Sequence, residues 1–290
     1  CDSCSPTLYM VRTDSSGNLL WEKRIAATGE GPHFANSVME TADGGFVLTG
    51  RNANNSRHIL LMKTDAMGEI LWENGLGIEW VDDQGSCVRQ TRDGDFVLTG
   101  MSQNRLYLAR TDPEGGLRWE TRLGKSDSSW GNCVRETPEG GLIAVGATPV
   151  AFSISMGYIV KTSADGTLEW ERTFGHPLYG GVANSVEITR DKGFVVAGLG
   201  ISDAMVGVLS LVKFDPSGVP QWETAFEGPA GAEGFCVKES SRGGYIIAGK
   251  IYMEPAIMED GLLIRTDASG RPIWQYSFSD RPAALAARRS

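Results

Sequence analysis

Six tryptophans recur at nearly constant intervals: Trp21, Trp72, Trp119, Trp170, Trp222 and Trp274 lie 51, 47, 51, 52 and 52 residues apart. Four residues before each stands a glycine, Gly17, Gly68, Gly115, Gly166, Gly218 or Gly270. Seven before each stands Asp14, Asp65, Asp112, Ser163, Asp215 or Asp267. The unit is D-x-x-G-x-x-x-W, entered from an apolar run such as Ile59-Leu60-Leu61-Met62. A period of this length belongs to architectures in which one supersecondary unit stacks on copies of itself to bury its apolar surface.

A second element interleaves with the first. Thr41-Ala42-Asp43-Gly44-Gly45-Phe46-Val47-Leu48-Thr49-Gly50 recurs at residues 91–100, 137–146, 189–198 and 240–249, five copies in all. Each sets a polar Asp/Gly turn between two short strand-like runs, and glycine supplies the positive φ that such turns require. The aspartates of the first element are expected to accept bonds from N–H groups two residues on and fix their turn. The tryptophans are expected to close the outer strand and lie largely buried between neighbouring units. Each unit then reads as four antiparallel strands, in the first complete copy a at 37–41, b at 46–49, c at 59–64 and d at 69–73. Four strands in about 50 residues is the pattern of a propeller blade.

The expected fold is therefore all-β: a β-propeller of about six four-stranded blades over residues 8–278, between an N-terminal segment 1–7 and a tail 279–290. Six tryptophan elements against five DGG elements leave one blade without its inner pair. The alternative is five full blades plus an extra strand pair. Helical periodicity is nearly absent, and only 282–288 reads as a turn or two of helix.

Formal charge is −9 and the pI about 5.0, which argues against nucleic acid as a partner because phosphate binding needs a basic patch. No stretch approaches the roughly 18 uninterrupted apolar residues of a membrane-spanning helix. The sequence opens Cys1-Asp2-Ser3-Cys4-Ser5-Pro6. This resembles a mature bacterial lipoprotein, a resemblance that implies a lipid on Cys1, an anchor in the bilayer, and a location on the periplasmic or extracellular side of the cell envelope.

The D-x-x-G-x-x-x-W element on outer strands resembles the tryptophan motif of the pyrroloquinoline-quinone-like (PQQ-like) propeller repeat, from about Leu8 to Trp274. That superfamily includes quinoprotein dehydrogenases and also non-enzymatic lipoproteins, such as the propeller of the bacterial outer-membrane assembly machine. The DGG hairpins are similar to those of envelope propellers. A quinoprotein site implies calcium and usually a pair of adjacent cysteines, and here no two cysteines adjoin. The expectation is no cofactor, no metal and no enzymatic activity.

The remaining candidate residues give little chemistry. His33, His58 and His176 read as solvated loop histidines, and Asp82-Asp83 as a solvated acidic tip. Cys87, Cys133 and Cys236 share one repeat position with Ser37 and Ser185, which marks a site for a small residue on the inner strand, with a buried thiol expected. The informative asymmetry is in the connections. The a–b and c–d turns are nearly invariant, whereas the b–c segments 51–57, 101–104, 147–157, 199–207 and 250–260 differ in length and content. Trp80, Trp130 and Tyr179 on d–a connections, with Phe152 and Tyr252 on b–c connections, make a candidate face for a partner protein, such as a membrane or envelope complex. The function expected is that of a non-catalytic, lipid-anchored scaffold or accessory subunit. The alternative is a small-molecule or glycan binder, or a hydrolase, using the funnel on the same face.

Overall fold

The computed structural model describes residues 8–25, 33–52, 58–78, 83–124, 128–151, 154–176, 179–253 and 258–278. Among them are twenty-two strands and no helix. The expected helical turn at 282–288 lies outside the described residues. A two-stranded sheet is formed by β1 (Leu8–Thr13) and β2 (Leu19–Ile25), which correspond to strands c and d. Five four-stranded antiparallel sheets follow, each in chain order. The first holds β3 (His33–Glu40), β4 (Phe46–Asn52), β5 (His58–Thr64) and β6 (Ile70–Leu76). The second holds β7 (Gln84–Gln90), β8 (Phe96–Ser102), β9 (Arg105–Thr111) and β10 (Leu117–Leu123). The third holds β11 (Trp130–Glu136), β12 (Leu142–Ala151), β13 (Ile154–Thr162) and β14 (Leu168–Phe174). The fourth holds β15 (Gly181–Ile188), β16 (Phe194–Ile201), β17 (Gly207–Phe214) and β18 (Pro220–Phe226). The fifth holds β19 (Ala232–Glu239), β20 (Tyr245–Met253), β21 (Met258–Thr266) and β22 (Pro272–Phe278). These are the blades of a β-propeller; among the described residues five have all four strands and one has its outer pair. The chain divides into two compact units, Cys1–Val134 and Arg135–Ser290, each built from the same repeat.

The motif residues explain why the chain turns where it does. In the c–d turn, Asp65 Oδ1 accepts bonds from the N–H of Met67 and of Glu69, both at 2.8 Å, and Gly68 takes φ +76°. Asp14, Asp112, Asp215 and Asp267 do the same with the residues two and four further on. Where Ser163 departs from the pattern, Asp165 takes over and accepts from Thr167 N–H. In the a–b turn the paired glycines have separate duties. Gly44 supplies φ +80°, while a Cβ on Gly45 would strike the Thr64 carbonyl and the Lys63 ammonium.

Inner strands carry one further device. The register of a and b slips at Ala35/Ser37, Gly85/Cys87, Ala183/Ser185 and Gly234/Cys236, a β-bulge that re-aims the extra residue. From the bulge, the Asn36 amide donates to Gly85 O at 2.8 Å and the Asn184 amide to Gly234 O at 2.9 Å, each reaching the next sheet. A Cβ on Gly50, at the end of the second motif, would fall on the Phe34 carbonyl across this bulge.

Sheets are joined by the tryptophans. Trp21 meets Phe46 of the next sheet at 5.9 Å, Trp72 meets Phe96 at 6.0 Å, Trp170 meets Phe194 at 5.9 Å and Trp222 meets Tyr245 at 5.8 Å. The same indoles lie against the motif glycines of the next sheet: Trp21 on Gly68, Trp72 on Gly115, Trp170 on Gly218 and Trp222 on Gly270. All six tryptophans are partly buried on their outer strands. Full burial falls instead to the middle strands, as with Ile59, Leu60, Leu61 and Met62 in β5. The inner strand also starts earlier than the sequence suggests, at His33 rather than 37, carried through the bulge.

Candidate functional site

Each sheet has a turn end, with the a–b and c–d turns, and a loop end, with the b–c and d–a connections. The turn end is a set of structural locks. A basic residue stands nine before each tryptophan: Arg12, Lys63, Arg110, Lys161, Lys213 and Arg265. Lys63 Nζ lies 2.9 Å from Asp43, Lys213 Nζ 2.8 Å from Asp191, and Arg110 holds both Asp93 and Asp95. Hydrogen bonds from Thr41, Lys63 and the Gly45 N–H hold the Asp43 carboxyl down at about 2. For Asp191, burial pushes upward but is outweighed by Lys213, Thr189 and the Gly193 N–H, which also bring it to about 2.

A second periodic residue follows each tryptophan: Glu22, Glu73, Glu120, Glu171 and Glu223, with Gln275 in the sixth place. A c-strand hydroxyl donates to most of them. Tyr9 bonds Glu22, Tyr107 bonds Glu120 at 2.6 Å, Tyr158 bonds Glu171, and Ser210 bonds Glu223 at 3.0 Å. Leu60 occupies that position in β5, and Glu73 is met instead by the His33 ring at 3.1 Å. His33 is thus a buried histidine at the start of β3, not a solvated loop residue. Both periodic sets escaped the sequence reading, and both could have been found with the period already in hand.

At the loop end of the first unit, polar groups are turned inward. Asp83 is 0% exposed. Its carboxylate accepts from Ile78 N–H at 3.0 Å, Gln103 N–H at 3.0 Å and the Ser102 hydroxyl at 2.6 Å. The Arg122 side chain donates to Ser102 Oγ at 3.1 Å and to Glu120 at 3.0 Å, with its guanidinium 5.3 Å from the Tyr107 ring centre. Burial, followed by the bond to Glu120, pushes the Tyr107 phenol upward. Asp83 is therefore a buried anchor for two connections, not a solvated tip: its carboxylate ties the Ile78 and Gln103 amides to the buried Ser102 hydroxyl. Asp82 lies outside the described residues.

At the loop end of the second unit the side chains point outward. His176 stacks on Tyr179, with ring centres 4.6 Å apart, and its Nε2 lies 3.0 Å from Asp203 in the β16–β17 turn. Two residues on, Met205 adopts φ +59°, a left-handed conformation uncommon for a residue with a side chain, and is 71% exposed. Val206, Val150 and Tyr179 are exposed beside it in sequence or on neighbouring connections, Tyr179 by 37%. A strained backbone that holds an apolar side chain in water is a feature that folding alone does not favour.

Of the residues expected on a partner-binding face, Tyr179 is on a connection and exposed. Trp130 is instead the first residue of β11 and half-buried. Tyr252 lies inside β20, half-buried, with Lys250 Nζ 4.9 Å from its ring and its N–H donating to Gly231 O. The b–c segments at 147–157 and 250–260 are largely continued strand, since runs such as Ile251-Tyr252-Met253 favour pairing over loop. Trp80, Phe152 and Cys1 lie outside the described residues. Cys87 and Cys133 are buried and their thiols hydrogen-bond each other; that bond and burial push the Cys87 thiol well up. Cys236 is exposed, unlike its counterparts. Among the described residues no three His, Cys, Asp or Glu side chains are grouped to hold a metal ion.

No family model matches the chain, and no curated protein matches it in sequence. Solved structures do. A Dyadobacter fermentans protein of unknown function has a TM-score of 0.53 at 11% identity, over 81% of this chain and 79% of its own. Sqt1 from Chaetomium thermophilum has 0.57 at 13%, over 91% of this chain and 63% of its own, so this chain spans under two thirds of it. A candidate exo-β-1,3-galactanase from Bifidobacterium bifidum has 0.50 at 14%, over 98% of this chain and all of its own. At such identities the likeness is one of fold, which hosts binding proteins and enzymes alike and settles neither for this chain.

Proposed function

We propose that this chain is a lipid-anchored cell-envelope propeller that binds another protein through the loop end of its second unit, serving as a scaffold or accessory subunit rather than a catalyst. The observation that carries the reading is Met205: an apolar side chain held in water by a left-handed backbone, next to a His176–Asp203 pair that also orders Tyr179. Aromatic and methionine side chains held rigid lose little entropy on contact and dominate interface energetics. The anchor rests on the resemblance of the Cys1-Asp2-Ser3-Cys4 segment to the lipid-bearing segment of bacterial lipoproteins.

The test uses the full chain in its native membrane. Tyr179→Asp with Met205→Asp is expected to leave thermal stability nearly unchanged and to abolish recovery of copurifying chains by pull-down. Recovery of every wild-type partner by that double variant would overturn the reading. Cys1→Ser is expected to move the protein to the soluble fraction, with the lipid mass lost from the intact chain.

A further inference from the structure

One position of the repeat links neighbouring inner strands. It holds Ser37 in β3, Cys87 in β7, Cys133 in β11, Ser185 in β15 and Cys236 in β19. In β3, β7, β15 and β19 it is the residue at which pairing resumes after the bulge. Its side chain reaches the backbone of the next inner strand. The Ser37 hydroxyl accepts from Val88 N–H at 3.3 Å, and the Ser185 hydroxyl from Val237 N–H at 3.2 Å. Cys87 repeats the contact with sulfur, accepting from Val134 N–H.

The amide that each of these side chains meets directly follows the next strand's own residue at the position, so the two counterparts come together. For Ser37 with Cys87, and Ser185 with Cys236, they are a hydroxyl and a thiol. Cys87 and Cys133 make two thiols, hydrogen-bonded to each other and only 4% and 5% exposed. Both belong to the unit Cys1–Val134. Glycines two residues earlier set the close approach. A Cβ on Gly85 would strike the Thr49 hydroxyl and one on Gly131 the Thr99 hydroxyl, so β7 lies tightly against β4 and β11 against β8. Packing at this position asks only for a small side chain, which serine supplies at 37 and 185. A second thiol touching the first adds a chemistry that packing does not need.

We propose that Cys87 and Cys133 are a redox pair that closes to a disulfide when the chain folds under oxidising conditions, clasping β7 to β11. The proposal is independent of the reading given for Tyr179 and Met205. The oxidant is a disulfide carrier, either a small-molecule disulfide or an oxidised dithiol protein. One cysteine thiolate attacks the carrier disulfide, forming a mixed disulfide and releasing the first carrier sulfur. The second cysteine thiolate then attacks the first cysteine's sulfur and releases the other carrier sulfur. Two electrons pass from the cysteines to the carrier, and the two thiol protons end on its sulfurs. The bond to Cys133, with burial, holds the Cys87 thiol well above its ordinary range. Exchange therefore belongs to folding, before the strands close over the sulfurs.

The test refolds the full chain in parallel in a glutathione redox buffer and in dithiothreitol. Each sample is denatured, alkylated with iodoacetamide and mapped by mass spectrometry without reduction. In the glutathione sample the peptides holding Cys87 and Cys133 are expected as one joined species, lighter than their sum by two hydrogens. The oxidised chain should melt about 5 °C or more above the reduced one, because the link constrains the unfolded state. Cys87→Ser and Cys133→Ser each install the residue that the repeat uses at 37 and 185, so both variants should fold and should melt alike in the two buffers. Alkylation of both thiols in the glutathione sample overturns the proposal, and so does a link from either one to Cys1, Cys4 or Cys236. A buffer-dependent melting shift that survives in both serine variants, or a linked wild-type chain that melts with the reduced one, would deny the clasp.

Discussion

In residues 1–134 the loop end directs its polar groups inward, with Asp83 serving two backbone amides and a hydroxyl, and Arg122 bridging Ser102 to Glu120. In residues 135–290 the corresponding end sends a pair of side chains outward, Tyr179 resting on His176 and Met205 on a left-handed backbone. Both ends join strands of the same repeat, so the scaffold does not dictate the difference. A buried carboxylate with both oxygens hydrogen-bonded is costly to disturb and offers little to a partner. An exposed apolar group costs little to remove and offers contact area. The comparison separates a region built for stability from one whose composition stability does not explain.

Substitutions at the two ends can break that comparison. The largest effect is expected at Asp83, where Asp83→Ala removes the acceptor of one buried hydroxyl and two part-buried amides and should cost about 3 kcal/mol in chemical denaturation. A loss under 1 kcal/mol would mean that water reaches this network. Trp72→Ala comes next. Because the indole is half-buried yet caps both Phe96 and Gly115, its removal should cost about 2–3 kcal/mol, below the ~3–5 of a fully enclosed tryptophan.

The turn end gives a pH-dependent effect. The carboxyls of Asp43 and Asp191 fall from an ordinary 3.8 to about 2 in the folded chain, so the stability they add is present above about pH 4 and lost as pH falls toward 2. Asp43→Asn with Asp191→Asn should flatten the acid side of the stability profile over that interval. Both carboxylates are more than half exposed, so the change will be modest.

Smaller still, and of opposite sign, Met205→Gly should raise stability by about 0.5 kcal/mol by relieving the left-handed backbone. A destabilised Met205→Gly chain would show that the side chain serves the fold, and the contrast between the two ends would collapse.

The fold was readable because its determinants are periodic. A glycine with positive φ, an aspartate that holds a c–d turn and an indole that caps the next sheet each need one residue type at one offset. The loop-end site was less readable for a physical reason. Tyr179 stands out as an aromatic on a connection, but what distinguishes Met205 is a backbone angle, and nothing in Ser202-Asp203-Ala204-Met205 announces that the fourth residue turns left-handed. Trp130 and Tyr252 misled because a variable segment was equated with a loop, while β11 and β20 continue through it. The His33–Glu73 contact joins residues forty apart that no repeated motif links, so only the fold brings them together.

The fit of Trp21, Trp72, Trp170 and Trp222 onto the glycine and aromatic ring of the following sheet has an evolutionary consequence. Both halves of the contact are encoded in most repeats, so a duplicated or deleted unit can join its new neighbours through a junction it already carries. Trp72 and Trp119 are 47 residues apart and Trp170 and Trp222 are 52, so the unit also tolerates changes in length outside the contact. A gene for such a chain can gain or lose whole units by recombination in register, and can diversify its connections, without any compensating substitution at the seams.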